Sequence, residues 1–248
     1  MSYQLIFKRF ELKYLLTSEQ KRIILDAISP YMAIDKYGRT TIRNIYFDTD
    51  NYRLIRASIE KPIYKEKLRV RSYDLATPDS TVFVEIKKKY KKIVYKRRIS
   101  MSESTAMNWL CNDIPLEETQ KSQISEEIEY FRHFYKDLKP SVFLTYEREA
   151  FFSKDGSDFR ITFDENIMYR QTDISLTSPP YGTKILEDGK VLMEIKCSGG
   201  IPLWMVEILS RERIYKTSFS KYGTAYRDIL LLNSEKNSSS RTETSITV

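Results

Sequence analysis

Val82-Phe83-Val84-Glu85-Ile86-Lys87 places Val82, Val84 and Ile86 on one phase of an extended chain and Glu85 and Lys87 on the other. Residues i and i+2 of a β-strand share a face, so a carboxylate and an ammonium stand side by side, opposite an apolar surface. The same glutamate–lysine triplet recurs at Glu11-Leu12-Lys13 and at Glu194-Ile195-Lys196. Phe10, Leu12 and Tyr14 supply the apolar phase of the first, and Val191, Met193, Ile195 and Cys197 that of the second. Three separated strands thus give a whole face to mixed charge.

Further strands extend the pattern. Lys65, Lys67, Arg69 and Arg71 share a phase against Leu68 and Val70, and Lys92, Lys96 and Arg98 share one against Ile93, Tyr95 and Ile99. Asp158, Arg160, Thr162 and Asp164 alternate with Phe159, Ile161 and Phe163. In Val142–Phe151 the pattern is mixed: Arg148 shares its phase with Val142, Leu144 and Tyr146, while Glu147 and Glu149 face the other way. An antiparallel sheet with one wet side accounts for any single strand of this kind. It accounts less well for the set, because an ordinary solvent face uses Thr, Ser, Gln and Asn freely, and these faces are mostly Lys, Arg and Glu. If the sheet closes, one phase lines its interior, and unpaired buried charge is costly enough that such an interior calls for a charged occupant. Ammonium and guanidinium groups suit phosphates, and carboxylates suit a hard cation.

The chain has 248 residues, 41% of them hydrophobic, with 18 tyrosines and a net charge of +7. That length supports one large domain or two small ones with a substantial core. The charge favours anionic partners without choosing among nucleic acid, acidic lipid and phosphorylated small molecules. Cys111 and Cys197 are too few for a disulfide framework and badly spaced for zinc. Lys8, Arg9, Glu11 and Lys13 leave no signal-peptide apolar region at the start, and the densest late apolar stretch, Ile229–Leu232, is far too short to span a bilayer. The expectation is a cytoplasmic protein.

Helical spacing and capping residues predict helices over Thr17–Met32, Ser102–Asn112, Ser122–Leu138, Pro202–Ser210 and from about Ser220 to Asn233. Strands are expected near Phe7–Leu15, Thr41–Asp48, Tyr64–Tyr73, Thr81–Lys88, Ile93–Ser100, Ser141–Phe152, Asp158–Asp164, Ile167–Gln171 and Lys190–Cys197. Gly156 and Asp188-Gly189 read as hairpin turns. The polar tail Ser234–Val248 is expected to be disordered. One α+β domain over 1–233 with a large, mostly antiparallel sheet follows.

Several features point away from other chemistries. His133 is the sole histidine and falls in a predicted helix, so no histidine-based triad is available. Ser198-Gly199-Gly200 is too short for a dinucleotide fingerprint or a P-loop. The basic run Lys87–Lys92 lacks the stacking aromatics of RNA-binding modules and reads as a solvated hairpin, so no specific nucleic-acid partner is expected. Phe219-Ser220-Lys221-Tyr222 opens the last helix, where free N–H groups favour anions and Lys221 can approach a phosphate, unless the motif is only a cap.

In order along the chain, the pieces Phe10-Glu11-Leu12-Lys13-Tyr14, Ile45-Tyr46-Phe47-Asp48-Thr49, Leu68-Arg69-Val70-Arg71-Ser72-Tyr73, Val84-Glu85-Ile86-Lys87, Tyr95-Lys96-Arg97-Arg98, Tyr146–Phe151, Arg160–Asp164, Met193-Glu194-Ile195-Lys196, Ile201–Trp204 and Ser218–Tyr222 resemble the VTC-type polyphosphate polymerase domain of the CYTH, or triphosphate-tunnel, superfamily. Arg9 stands where the superfamily's opening E-x-E-x-K motif commonly has its first glutamate, and Lys216 is the nearest equivalent of a second late lysine. The resemblance implies a closed antiparallel β-barrel, the triphosphate tunnel, with flanking helices. It also implies transfer of the ATP γ-phosphoryl group to inorganic polyphosphate. Lys13, Arg69, Arg71, Lys87, Lys96, Arg98, Arg148, Arg160 and Lys221 would then hold nucleotide and chain, and Glu194, with Glu85 or Glu11, would hold Mn²⁺ or Mg²⁺. A tunnel-type triphosphate hydrolase or cyclase and a non-catalytic polyanion-binding protein remain open alternatives.

Overall fold

The computed structural model describes residues 10–60, 62–91 and 93–231. One ten-stranded sheet organises the chain. Its strands are β1 (Phe10–Thr17), β2 (Met32–Asp48), β3 (Tyr64–Tyr73), β4 (Thr81–Tyr90), β5 (Ile93–Ser102), β6 (Lys139–Ser153), β7 (Arg160–Arg170), β8 (Thr183–Lys184), β9 (Lys190–Cys197) and β10 (Lys216–Thr217). The order across the sheet is β10-β1-β9-β7-β6-β2-β3-β4-β5, every pairing is antiparallel, and β8 adds to β7. The helices are α1 (Ser18–Ile28), α2 (Arg53–Ile59), α3 (Glu103–Cys111), α4 (Gln123–Tyr135), α5 (Leu203–Arg211) and α6, over residues 221–231.

The sheet is arched but not closed, which corrects the expected barrel. Five strands lie between β1 and β4 in the sheet order, so a flat sheet would hold them roughly 29 Å apart at about 4.8 Å per strand. Yet Lys87 of β4 reaches within 3.9 Å of Glu11 of β1. The sheet therefore curls until its two ends face each other across the charged phase. Among the described residues no backbone ladder joins β5 to β1, because the edge of β1 is taken by β10 through Lys13↔Thr217 and Tyr14↔Lys216. Side chains bridge the seam where hydrogen-bonded strands would close a barrel.

Three apolar clusters hold the arch. On the outer face of β2–β5, Ile45, Phe47, Leu68, Val70, Val84 and Ile86 pack against Trp109 and Leu110 of α3 and Ile128 and Phe131 of α4. On the outer face of β1, β9 and β7, Tyr14, Ile161, Phe163, Met193 and Ile195 pack against Ile24 and Ile28 of α1 and Met205 and Ile208 of α5. The third cluster occupies one end of the inner face, where Tyr222, Ala225, Tyr226 and Ile229 of α6 meet Tyr46, Leu144, Tyr146 and Leu192. The remainder of the inner face is left to charge.

Local boundaries differ from the expected ones for identifiable reasons. Thr17 and Gln20 form a capping box that starts α1, but the helix ends at Ile28, before Pro30, and Met32 already begins β2 against Ser153. The two short strands expected on either side of Asn166 are one strand, β7, which passes through Asn166 at φ 49. Asp188-Gly189 does not reverse the chain: β8 and β9 both pair with β7, so the turn is an excursion between two segments on one strand edge. Gly156, in contrast, lies in the hairpin between β6 and β7, as expected. The helix α2 has no side-chain cap of its own at Tyr52. The Asp48 carboxylate serves instead, accepting from the backbone N–H of Thr49, Leu54 and Ile55 at 2.8–3.0 Å. No helix among the described residues is long and apolar enough to cross a membrane. The tail Ser234–Val248, Arg9 and the strand start at Phe7 lie outside the described residues.

Leu68 lies on the outer phase of β3 and is fully buried. Leu68→Ala is expected to lower unfolding free energy by about 2–5 kcal/mol, read from urea denaturation followed by circular dichroism.

Candidate functional site

The inner face gathers all three glutamate–lysine triplets. Lys13 lies 3.3 Å from Glu11 in its own triplet and 3.5 Å from Glu194 in the last, and Lys196 lies 3.5 Å from Glu194. Lys87 closes the set through Glu11. Strand register explains the meeting: Lys13 is directly opposite Glu194, and Glu11 opposite Lys196.

Glu194 is the focus of the first wall. Its Oε1 accepts from Lys221 at 3.2 Å, and its Oε2 lies 3.5 Å from the Arg148 guanidinium. Arg148 also makes a forked pair with Asp164 at 2.6 and 2.7 Å, and Lys221 reaches Asp164 at 2.5 Å. Burial works to raise the Glu194 carboxyl, but Lys221, Lys196, Lys13 and Arg148 outweigh it and hold the group well below the usual carboxylate range. Burial likewise opposes the charge of Asp164, and Arg148 and Lys221 keep it ionised. Neither ammonium nor carboxylate is free to leave this cluster without stranding a buried opposite charge.

The second wall is built on β3, β4 and β5. Arg69 donates to Glu85 from Nε at 2.7 Å and to the Tyr46 hydroxyl from Nη1 at 3.0 Å. Lys96 meets the other Glu85 oxygen at 2.5 Å. Against the pull of burial, Arg69, Arg71 and Lys96 bring the Glu85 carboxyl down to about 2. Arg71 is buried and donates to Asn44 Oδ1 at 2.9 Å and to the Tyr146 hydroxyl at 3.3 Å. Burial favours neutral Tyr46, yet Arg69, Lys67 and Arg71 bring its hydroxyl down to about 8.

The helix α6 positions Lys221. Ser220 accepts from the Gly223 backbone N–H, and Lys221 stands at the helix start with its ammonium 4.7 Å from the Tyr146 ring centroid. Tyr222 stacks on Tyr46 at 4.7 Å and donates to buried Asp48 at 2.9 Å. The carboxylate that caps α2 therefore also anchors α6, and through it aims Lys221 into the first wall. Lys13 reinforces the same approach by donating to the Phe219 carbonyl at 2.9 Å.

Of the residues expected in the site, Lys13, Lys221, Arg148, Glu194 and Glu11 come together on one wall and Arg69, Arg71, Lys96 and Glu85 on the other, with Lys87 across the seam. Arg98 and Arg160 stand apart from these ion pairs. Arg98 is exposed over the Phe83 ring at 4.5 Å, and Arg160 is exposed at the strand end opposite Lys196. Asp164, Tyr46, Tyr146, Asp48 and Lys67 join the site beyond the residues that sequence reasoning places in it. The strand phases of Asp164 and Lys67 are legible in the sequence; the roles of the tyrosines and Asp48 depend on partners far along the chain. His133 is exposed and meets the Glu129 carbonyl and carboxylate of its own helix, as expected for a surface group, and Cys197 is buried core.

Among the described residues no group of three or more His, Cys, Asp or Glu is arranged to hold a metal. The donor set still suits a hard cation that takes most of its oxygens from a substrate: buried Glu194 with Glu11 beside it supplies one or two carboxylates, the protein share common for Mg²⁺ at phosphate sites.

The site is thus an arched antiparallel sheet with a buried, cation-rich inner face and a helix across one end. The chain belongs to the VTC domain family, which matches residues 8–230. Among solved structures, a candidate adenylate cyclase from Bacillus halodurans is similar with a TM-score of 0.53 at 15% identity, covering 87% of this chain and 94% of that one. A candidate adenylate cyclase from Vibrio parahaemolyticus gives 0.47 at 11% identity over 90% and 99% of the two chains. A Hippeastrum candidate adenylyl cyclase, described as having a dominant triphosphatase activity, gives 0.46 at 16% identity over 86% and 92%. No curated protein sequence matches the chain.

Burial pushes the ammonium groups of Lys67 and Lys96 down to about 8, and the Tyr46 hydroxyl also loses its proton near 8. Below that pH both lysines are cationic; above it the inner face loses positive charge and gains a phenolate. Metal-free affinity for inorganic tripolyphosphate is therefore expected to fall from pH 7 to pH 9, as measured by isothermal titration calorimetry. A flat or rising affinity would place these groups away from the bound phosphates.

Proposed function

We propose that the protein is a metal-dependent polyphosphate polymerase that transfers the ATP γ-phosphoryl group to the end of an inorganic polyphosphate chain. The observation that carries this reading is Glu194: a buried carboxylate touched by cations from four elements, β1, β6, β9 and α6, inside the arch of a VTC-family chain. Phosphoryl transfer asks the protein for alignment and charge neutralisation more than for covalent participation. Arg69, Arg71 and Lys96 would hold the nucleotide triphosphate on the second wall, with Arg98 and Arg160 at the exposed margins. Lys13, Lys221, Lys196 and Arg148 would neutralise the transferring group on the first, and Lys87 would contact phosphate at the seam. A terminal phosphate oxygen of the chain attacks the γ-phosphorus, the bond to the β,γ-bridging oxygen breaks, and ADP leaves. No protein nucleophile is needed.

Glu194 with Glu11 would hold Mn²⁺ or Mg²⁺, which when bound polarises the γ-phosphate. Glu85, with one oxygen on Arg69 and the other on Lys96, is given the task of aligning those two cations. The feature that favours polymerase over hydrolase is the Phe219-Ser220-Lys221-Tyr222 opening of α6, which resembles the polymerases and brings Lys221 onto Glu194.

Incubation with ATP and Mn²⁺, followed by sizing of phosphate products on a gel, is expected to show a ladder of chains. Orthophosphate as the sole product at every enzyme concentration would make the protein a hydrolase. Glu194→Gln is expected to cut turnover by orders of magnitude and shift the metal midpoint, while metal-free ATP binding persists on the untouched Lys and Arg set. Wild-type turnover with an unchanged Mn²⁺ midpoint would remove Glu194 from the metal site.

A further inference from the structure

The outer face of the sheet carries a separate set of buried charge. Arg43 of β2 and Arg170 of β7 are withdrawn from solvent, with 3% and 5% of their surface exposed. Both extend from the apolar phase of their strands, beneath the segment 171–182 that leaves β7. Leu176 of that segment is buried in one cluster with Ile45, Phe143 and Ala76, and its carbonyl accepts from the Ala76 backbone N–H at 3.2 Å. The Arg170 guanidinium lies 3.7 Å from the Phe143 ring centroid and 4.2 Å from that of Tyr181. It donates to the carbonyls of Asp173 at 2.9 Å and Tyr181 at 3.1 Å. Arg43 donates to the carbonyls of Leu176 at 3.4 Å and of Ser178. The two guanidinium groups therefore hold the segment onto the sheet through its backbone.

Their charge is only partly answered. The Asp173 carboxylate lies 3.6 Å from Arg170. Among the described residues no carboxylate pairs with Arg43, and exposed Asp74 favours its charge only from beyond ion-pair range. Burial and the Arg170 charge pull the Arg43 guanidinium down from its ordinary value. Carbonyl dipoles solvate a guanidinium without neutralising it, and an uncompensated buried charge is costly. Strand register adds a second observation. Thr145 of β6 is directly opposite Arg43, on the same outer phase, and directly opposite Met168 of β7, two residues from Arg170. Arg43 Nε and Thr145 Oγ1 are both buried and meet no partner among the described residues. A buried donor left without a partner costs its full desolvation, and two on facing residues point to one shared ligand.

We propose that Arg43 Nε and the Thr145 hydroxyl bind a buried monovalent anion, chloride in ordinary media, that fastens the segment 171–182 to the outer face of the sheet. Both groups can donate, which suits an anion, and one N–H with one O–H is too sparse a set for a buried phosphate. A water molecule would meet the same atoms and leave the charge in place. The site lies on the opposite face from Glu194 and does not depend on the polymerase reading.

A ligand that binds only the folded chain raises the thermal midpoint as its concentration rises. Sodium chloride replacing sodium gluconate at constant ionic strength is expected to raise the midpoint by about 3–6 °C for each tenfold increase in chloride above half-saturation. Thr145→Val keeps every cation of the inner face and is expected to abolish this dependence, whereas Thr145→Ser is expected to keep it. Crystals soaked in sodium bromide should show an anomalous peak between Arg43 Nε and Thr145 Oγ1. A midpoint indifferent to the exchange of gluconate for chloride would assign the two groups to water and overturn the proposal. A wild-type chloride dependence in Thr145→Val would place the responsive anion elsewhere and overturn it too, as would the absence of bromide from this position. A bromide peak there with a halide-independent midpoint would be an adventitious ion only, and would equally overturn it.

Discussion

The Glu194 carboxylate holds the inner face together. Lys13, Lys196, Arg148 and Lys221 come from β1, β9, β6 and α6, and each is desolvated beside it. Concentrating so many cations in an enclosed space is unfavourable unless anions sit among them, and Glu194 with Asp164 supplies those anions without a ligand present. The same contacts tie the edge strand β1 and the late helix α6 to the centre of the sheet. Site geometry and fold geometry are therefore one problem at this point: the contacts that hold the fold also fix the positions of the charges.

The arch explains why the charged phase is not an ordinary wet face. Helices α1 and α5 cover one half of the outer surface, and α3 and α4 the other. Both faces of the central strands are thus withdrawn from bulk water, and the inner one keeps its charges. Closure by Glu11 and Lys87, in place of a backbone ladder, leaves a seam between β1 and the β4–β5 hairpin. A ladder would fix the distance between the walls at one strand spacing, whereas two long side chains allow it to adjust.

Asp48 shows how stability and chemistry share a residue. Its buried carboxylate accepts from the start of α2 and from Tyr222 of α6, so one acid orients two helices. Tyr222 then stacks on Tyr46, whose hydroxyl accepts from Arg69. A chain of directional contacts runs from a helix cap to the Arg69 guanidinium without passing through solvent.

Alternation by itself determined that Glu85 and Lys87, Arg69 and Arg71, and Glu194 and Lys196 share a face opposite Val84, Leu68 and Ile195, because the two-residue period of a strand depends on nothing else. The capping residues of α1, α3 and α4 were equally local, and so were those helix starts. Partnership was not local. That Glu85 would meet Arg69 and Lys96 while Glu194 took Lys13 and Lys221 follows from strand order and register, which join residues as distant as Lys13 and Phe219. The helix α2 was hidden for the same reason, since its cap comes from Asp48 across a turn rather than from the position before it. Whether the sheet closed was decided only when β10 occupied the edge of β1. An edge strand's hydrogen-bonding groups accept whichever partner the tertiary fold brings first, and nothing in the alternation of β1 names that partner.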